Sequence, residues 1–222
     1  MDVELRTALV ADDDEFFRVA LSTILTKQLG FSKVIETASL DEALDRLAEP
    51  SKVSVALFDL AMPGVQSPAN LRAVRECFPS TIVAVVSGSS RRRDILLALE
   101  AGVHGYIPKS LGITELANAL RTILGGTIYV PSSLAELPTD DQSTEAGFDA
   151  LSSRGGPLSL TPRQRDVLQL LVQGKSNKEI ARALKLGEGT VKVHMAALFR
   201  TLDVSTRSAA AVAGAKLLAA AA

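Results

Sequence analysis

The chain has 222 residues, enough for one large domain or two modest ones. It is 47% hydrophobic and 22% charged, which excludes a wholly disordered chain, and its one cysteine, Cys77, excludes a disulfide framework or a cysteine metal cluster. The net charge of −1 hides an asymmetry: residues 157–222 hold 10 Lys+Arg against 4 Asp+Glu, while residues 1–130 hold 13 against 16, so a polyanionic partner is expected for the basic end alone.

Asp2 and Glu4 open the chain without a long apolar run, so no signal peptide is expected. Residues 5–11 read as a strand ending in Asp12-Asp13-Asp14. Residues 16–29 carry apolar side chains at helical spacing and stop at Gly30. A short strand at Val34 and Ile35 precedes a helix with Ser39 as its N-cap. The apolar run 53–58 is a strand ending in Asp59, and residues 70–77 form the next helix. Then come strand 82–86, helix 91–101, strand 105–107 and helix 113–124. Five strands alternating with five helices predict an α/β fold, a doubly wound five-stranded parallel sheet. Near-continuous apolar strands are expected when both sheet faces are covered.

Residues 131–157 lose periodicity and collect Pro131, Pro138, Asp140, Asp141, Gly147, Gly155, Gly156 and Pro157, the composition of a linker. Beyond it the pattern is helical throughout. Thr161-Pro162 sets an N-cap and a proline at the first helical position, opening a helix over 163–173 that ends at Gly174. Helices over 178–184 and 190–202 follow, and a last one starts near Thr206. The closing apolar run 209–222 is short and broken by Lys216, so it reads as a final helix and no membrane partner is expected. The predicted domains are 1–130, a linker 131–157, and a smaller all-α domain 158–222, with no internal repeat.

In an open parallel sheet, ligands bind at the carboxyl ends of the strands. Here those ends carry Asp12 and Asp13, Asp59, Ser87 and, after the fifth strand, Lys109. Three converging carboxylates repel one another, and a hard divalent cation such as Mg²⁺ relieves that repulsion. A lysine and a hydroxyl aimed at the same place suit a phosphoryl group, with Asp59 as nucleophile and acceptor. A single Asp or Ser at a strand end is usually only a turn former. Five such groups at the ends of the right strands are not explained that way.

In the helix over 190–202, Val191, Met195, Leu198 and Leu202 share one face and point to a core. The opposite arc holds Gly189, Lys192, Val193, Ala196 and Arg200, a small basic face able to enter a DNA major groove. The short turn at Gly187 after helix 178–184 gives helix-turn-helix spacing. Helical spacing alone is equally compatible with a small bundle used for protein contacts.

The segments Ala11-Asp12-Asp13, Asp59-Leu60-Ala61-Met62-Pro63-Gly64, Val86-Ser87-Gly88 and Gly105-Tyr106-Ile107-Pro108-Lys109 resemble the flavodoxin-like receiver domain of two-component response regulators over residues 4–130. The segments Leu160-Thr161-Pro162-Arg163-Gln164-Arg165-Asp166-Val167-Leu168, Asn177-Lys178-Glu179-Ile180-Ala181 and Gly189-Thr190-Val191-Lys192-Val193-His194 resemble the LuxR-type helix-turn-helix over residues 158–220. Together they resemble a NarL/FixJ-type response regulator. The resemblance implies a cytoplasmic transcription regulator, not an enzyme, in which a sensor histidine kinase phosphorylates Asp59. It implies Mg²⁺ held by Asp13, Asp59 and the Ala61 carbonyl, with Asp12 acting partly through water. It implies phosphoryl contacts from Lys109 and Ser87, and Tyr106 as an aromatic switch that turns inward as Ser87 moves. Phosphorylation is then expected to produce a homodimer on double-stranded DNA, with Lys192, Val193 and Ala196 facing bases. Asn177, Lys178, Thr190 and Arg200 would meet phosphates, and His194 would pack. Glu179 and Arg182 would tie helices together.

Three positions depart from the family's pattern. Gln66-Ser67-Pro68 stands where an Asp-Gly pair is common, and Arg91-Arg92-Arg93 where acids are common. The arginine run is read as a solvated helix start. Ala196 replaces a polar residue, which lowers the expected number of direct base contacts. A Mg²⁺-dependent aspartyl phosphatase is the rival reading, but phosphatases of the haloacid dehalogenase type carry a second Asp two residues after the nucleophile, and Ala61 stands there. A third reading is a regulator acting by protein contact without phosphate.

Overall fold

The computed structural model describes residues 6–65, 67–135 and 160–220. The chain divides into two compact units, Met1–Thr139 and Asp140–Ala222. Leu5, Gln66, the linker residues from Pro138 to Pro157 singled out above, and the last two residues lie outside the described residues.

The first unit is built on strands β1 (Thr7–Ala11), β2 (Lys33–Thr37), β3 (Val53–Phe58), β4 (Ile82–Ser87) and β5 (Tyr106–Pro108). All pair in parallel, in the order β2-β1-β3-β4-β5. The helices between them are α1 (Glu15–Gln28), α2 (Leu40–Leu47), α3 (Leu71–Cys77), α4 (Arg92–Glu100) and α5 (Ile113–Leu124). The expected five-stranded, doubly wound sheet is what forms. Its strands are apolar on both sides because both sides are covered. Ala8, Val10, Val55, Leu57, Ala84 and Val86 pack with α1 and α5 in one cluster. Leu9, Ala56, Phe58, Val83 and Val85 alternate with them and are equally buried on the other face.

The boundaries differ from the sequence expectation where hydrogen bonds outweigh local pattern. The second strand extends to Lys33–Thr37 because every residue in it pairs with β1. The fifth strand is shifted by one, to Tyr106–Pro108, and Gly105 instead bridges Tyr129. Helix α3 is preceded by a 3-10 turn at Pro68–Asn70. Residues 131–135 of the expected linker begin with a buried Pro131 and form a 3-10 turn at Ser132–Ala135.

The second unit holds α6 (Pro162–Val172), α7 (Asn177–Leu184), α8 (Glu188–Thr201) and α9 (Arg207–Ala220). The starts of α6 and α7 are set by side-chain caps. Thr161 and Gln164 cap α6 reciprocally, and Ser176 and Glu179 do the same for α7. Leu160, Val167, Leu168, Leu171, Ile180, Val191, Met195, Leu198 and Ala210 form one core. The turn between α7 and α8 opens with Lys185 in the left-handed region, φ 57°, which reverses the chain and sets Gly187 as the next N-cap. The periodic face expected for α8 is therefore correct on its inward side.

Candidate functional site

The parallel register brings the carboxyl ends of four strands together. The Asp59 amide donates to Ala11 O at 2.8 Å, the Asp12 amide to Thr37 O at 3.0 Å, and the Lys109 amide to Ser87 O at 2.8 Å. These bonds continue the ladders one residue past each strand, so the polar side chains emerge side by side. One carboxylate oxygen from each of Asp12, Asp13 and Asp59 lies within 4.8 Å of the others. Asp12 and Asp59 are 1% and 3% exposed, whereas Asp13 is open to solvent. The three consecutive aspartates have three roles. Asp12 and Asp13 face the cluster, while Asp14 caps α1 by accepting from the amides of Phe16 and Phe17.

Lys109 Nζ sits 2.9 Å from Asp12 Oδ1, 2.7 Å from Asp12 Oδ2 and 3.2 Å from Asp59 Oδ2. It also lies 4.7 Å from the centroid of the Phe17 ring. Asp12 Oδ2 is outside hydrogen-bond geometry to the ammonium, and Asp59 Oδ1 accepts no hydrogen bond; both atoms are buried. Burial pushes the Asp12 carboxyl above its usual range, against the hydrogen bonds from Lys109 and the Asp14 amide. Burial works to lower Lys109, but the bond to Asp12 and the charges of Asp59 and Asp12 outweigh it and hold the ammonium above its usual value. The pocket thus holds more negative charge than one lysine neutralises. Buried carboxylate oxygens with unused lone pairs beside an exposed third carboxylate are a donor set that fits a hard cation such as Mg²⁺. Ala61, two residues beyond Asp59, is exposed and offers no acid or base side chain. Gly64, at φ +96°, turns this loop where a Cβ would stand 2.9 Å from Leu40 Cβ.

Ser87 is 2% exposed and its Oγ accepts from the Ser89 amide at 3.3 Å. Tyr106 is fully buried and its hydroxyl donates to Ser89 O at 2.7 Å. Burial raises the Tyr106 hydroxyl above its ordinary value, so it stays a donor at neutral pH. Two supports of the site were not read from the sequence. Arg18 Nη1 donates to Asp12 O at 2.8 Å, and Phe17 flanks Lys109. The helical spacing of Arg18 from Asp14 was the available signal, but spacing does not reveal which carbonyl a long side chain reaches. The arginine run opens α4 with Arg91 and Arg93 exposed and Arg92 half-buried, as expected of a solvated helix start, and two of its side chains are also held. Arg91 pairs with Asp94 at 2.8 Å, and Arg92 Nη1 donates to Leu134 O at 2.7 Å.

In the second unit, Lys178, Lys192 and Arg200 are exposed, and Gly189 and Ala196 partly so. Val193 was expected on that open face, and the structure corrects this, since it is 4% exposed; Thr190, expected to meet phosphates, is 0% exposed. Asn177 is half-buried, with its Oδ1 accepting from Arg207 Nη1 at 2.7 Å. His194 is 6% exposed. Glu179 does not tie helices together. Its carboxylate accepts from the Ser176 amide at 2.8 Å and the Ser176 hydroxyl at 2.7 Å. The pattern Ser176-x-x-Glu179 was the signal for that capping role.

An acidic cluster with a serine and a lysine at the ends of parallel strands, joined in one chain to a helix-turn-helix unit, defines a phosphoryl-controlled DNA-binding regulator. Residues 8–121 match the response regulator receiver domain, and residues 158–213 match the bacterial regulatory proteins of the luxR family. The chain is 34% identical to a glycerol metabolism activator of Pseudomonas putida over 90% of each chain. It is 31% identical to the nitrate/nitrite response regulator protein NarL of Escherichia coli over 94% of each. A LuxR family DNA-binding response regulator from Silicibacter pomeroyi superposes with a TM-score of 0.52 at 31% identity, over 58% of this chain and 99% of that one. RcsB from Salmonella enterica serovar Typhimurium shares the fold, with a TM-score of 0.53 at 21% identity over 95% and 98% of the two chains. The chain belongs to the LuxR-type response regulators, DNA-binding transcription regulators governed by phosphorylation. No described helix is long and apolar enough to cross a membrane.

Proposed function

We propose that a sensor histidine kinase transfers a phosphoryl group to Asp59, and that this makes the protein a dimer competent to bind operator DNA in the cytoplasm. The observation that carries the reading is Asp59 Oδ1, a buried carboxylate oxygen that accepts no hydrogen bond, beside Lys109 and two further aspartates. That oxygen attacks the phosphorus of a phosphohistidine, and the P–N bond breaks as the O–P bond forms. Asp12, Asp13, Asp59 and the Ala61 carbonyl would hold Mg²⁺, which offsets charge on the carboxylates and on the phosphoryl oxygens. Lys109 and the Ser87 hydroxyl receive the remaining phosphoryl oxygens. Tyr106 reports the position of Ser87 through the bond its hydroxyl makes to the intervening loop.

On the DNA side, Lys192 and Ala196 face bases, and Arg200, Lys178 and Asn177 meet phosphates. Thr190 and Val193 join the contact only in a conformation that exposes them. Two copies bound side by side double the phosphate contacts and steepen the salt dependence of binding. The test compares the full chain with Asp59→Asn after treatment with acetyl phosphate and Mg²⁺. Intact mass, light scattering and DNA-binding anisotropy are read together. The expected result is a phosphoryl adduct, a dimer and tighter DNA binding in the unmodified sequence only. Equal DNA affinity and equal oligomeric state in both proteins would overturn the reading.

A further inference from the structure

At the start of α4 a buried carboxylate, Asp94, pairs with the half-exposed guanidinium of Arg91, and the phosphoryl chemistry above makes no use of either. Asp94 is in the first turn of α4, and its side chain is 7% exposed. An acid near a helix N-terminus is favoured there even in water, so the helix does not require its burial. Here the carboxylate leaves the helix and turns to the loop. Its Oδ2 accepts from Ser89 Oγ at 2.5 Å and from Arg91 Nε at 2.9 Å, with Arg91 Nη2 at 2.8 Å. A buried carboxylate is tolerated when its charge is paired and bonded; here Arg91 supplies the charge, and both Ser89 and Arg91 bond Oδ2.

Ser89 is where this pair meets the phosphoryl-sensing groups. Its amide donates to Ser87 Oγ at 3.3 Å, and its carbonyl accepts the Tyr106 hydroxyl at 2.7 Å. Its own hydroxyl is the atom held by Asp94. The Arg91 amide adds a longer bond to that hydroxyl, at 3.4 Å. One residue therefore fixes the Ser87 hydroxyl on one side and the Tyr106 ring on the other, and it is itself fixed through its side chain. Gly88 and Ser90, its neighbours, are exposed, so the chain on either side contributes little restraint.

We infer that Asp94, held by Arg91, is a positioning residue for the phosphoryl reaction: by gripping Ser89 it sets the Ser87 hydroxyl toward Asp59 and keeps the Tyr106 hydroxyl bonded inside. The inference rests on the reading that Ser87 and Tyr106 respond to a phosphoryl group on Asp59. Arg91 thereby has a use in the fold, because it supplies the charge that lets Asp94 stay buried.

The experiment uses the full chain carrying Tyr129→Phe, which leaves Tyr106 as its one tyrosine, labelled with fluorotyrosine. Fluorine NMR reads the Tyr106 environment, and intact mass reads phosphoryl uptake from acetyl phosphate with Mg²⁺. Asp94→Asn and Ser89→Ala each shift or split the Tyr106 resonance and slow uptake about tenfold, the weight of one hydrogen bond to a charged group. Arg91→Ala acts in the same direction, and Arg91→Lys, which keeps the charge, restores the resonance toward that of the unsubstituted chain. Should Asp94→Asn fail to fold, Ser89→Ala decides alone, since it removes only the hydroxyl that meets Asp94. Folded variants with a lower melting temperature but an unchanged Tyr106 resonance and uptake rate overturn the inference and leave Asp94 a structural ion pair. Absence of any adduct that Asp59→Asn lacks overturns the phosphoacceptor reading instead, and the resonance still reports on the clamp.

Discussion

The two units hold their functional side chains in opposite ways. The receiver buries Asp12, Asp59, Ser87 and Tyr106 to within 3% of complete enclosure and leaves only Asp13 fully open. The helical unit buries apolar residues and leaves Lys178, Lys192 and Arg200 in solvent. A reaction with a small, highly charged group needs fixed donors in a water-poor place. Contact with a long polyanion needs long, mobile cations at a surface. The receiver therefore buries charge at its site, which costs stability, while the helical unit buries mainly apolar side chains in its core.

That contrast can be broken from the helical side first. Leu168 is fully buried in the core formed by the described residues of the second unit, and Leu168→Ala is expected to remove about 2–5 kcal/mol. In a small unit this is enough to unfold it. DNA binding would vanish while Asp59 still takes up a phosphoryl group, as read by mass. Loss of both activities together would show that the units do not fold separately. Mg²⁺ sharpens the contrast from the receiver side. At about a hundred times its dissociation constant it should stabilise the receiver by about 2.7 kcal/mol, in calorimetry or denaturant melts. The helical unit should not respond, and Asp59→Asn should reduce the gain. The smallest expected effect is at the surface. Lys192→Ala should weaken specific DNA binding by about 1–3 kcal/mol with no change in melting temperature. A stability loss of the same size would mean that Lys192 supports the fold.

The same contrast decided what was legible in the sequence. A strand end is marked by the last apolar residue of a run, so Asp12, Asp59 and Ser87 could be placed to within one residue, and the parallel register did the rest. Helix boundaries followed where a cap residue stands, as at Ser39 and Thr161. Periodicity in α8 identified its inward residues, because a core lies on one side of a helix. It placed Lys192 and Arg200 outward correctly but not Val193, since exposure depends on what else covers a face. The buried Thr190 was misplaced by resemblance, which carries a role over by position and does not report burial. The Arg91–Asp94–Ser89 arrangement was out of reach for a related reason. A charge run reads as solvated unless a buried partner is known, and three-residue spacing alone does not say that the partner is buried.

The bridge between Gly105 and Tyr129 bears on how safely this sheet can exist in a crowded solution. An open sheet has two edges with unpaired backbone groups, each able to recruit a strand from another molecule. Here β2, the strand at one edge, carries the exposed charges Lys33 and Glu36. At the other edge, the Tyr106 amide donates to Tyr129 O at 3.0 Å and the Tyr129 amide to His104 O at 3.1 Å. The chain leaving α5 thus seals the second edge with its own backbone. A receiver cut after Leu124 would keep its helices and its acidic pocket but present bare amides beside β5, and it would be the more aggregation-prone fragment for it.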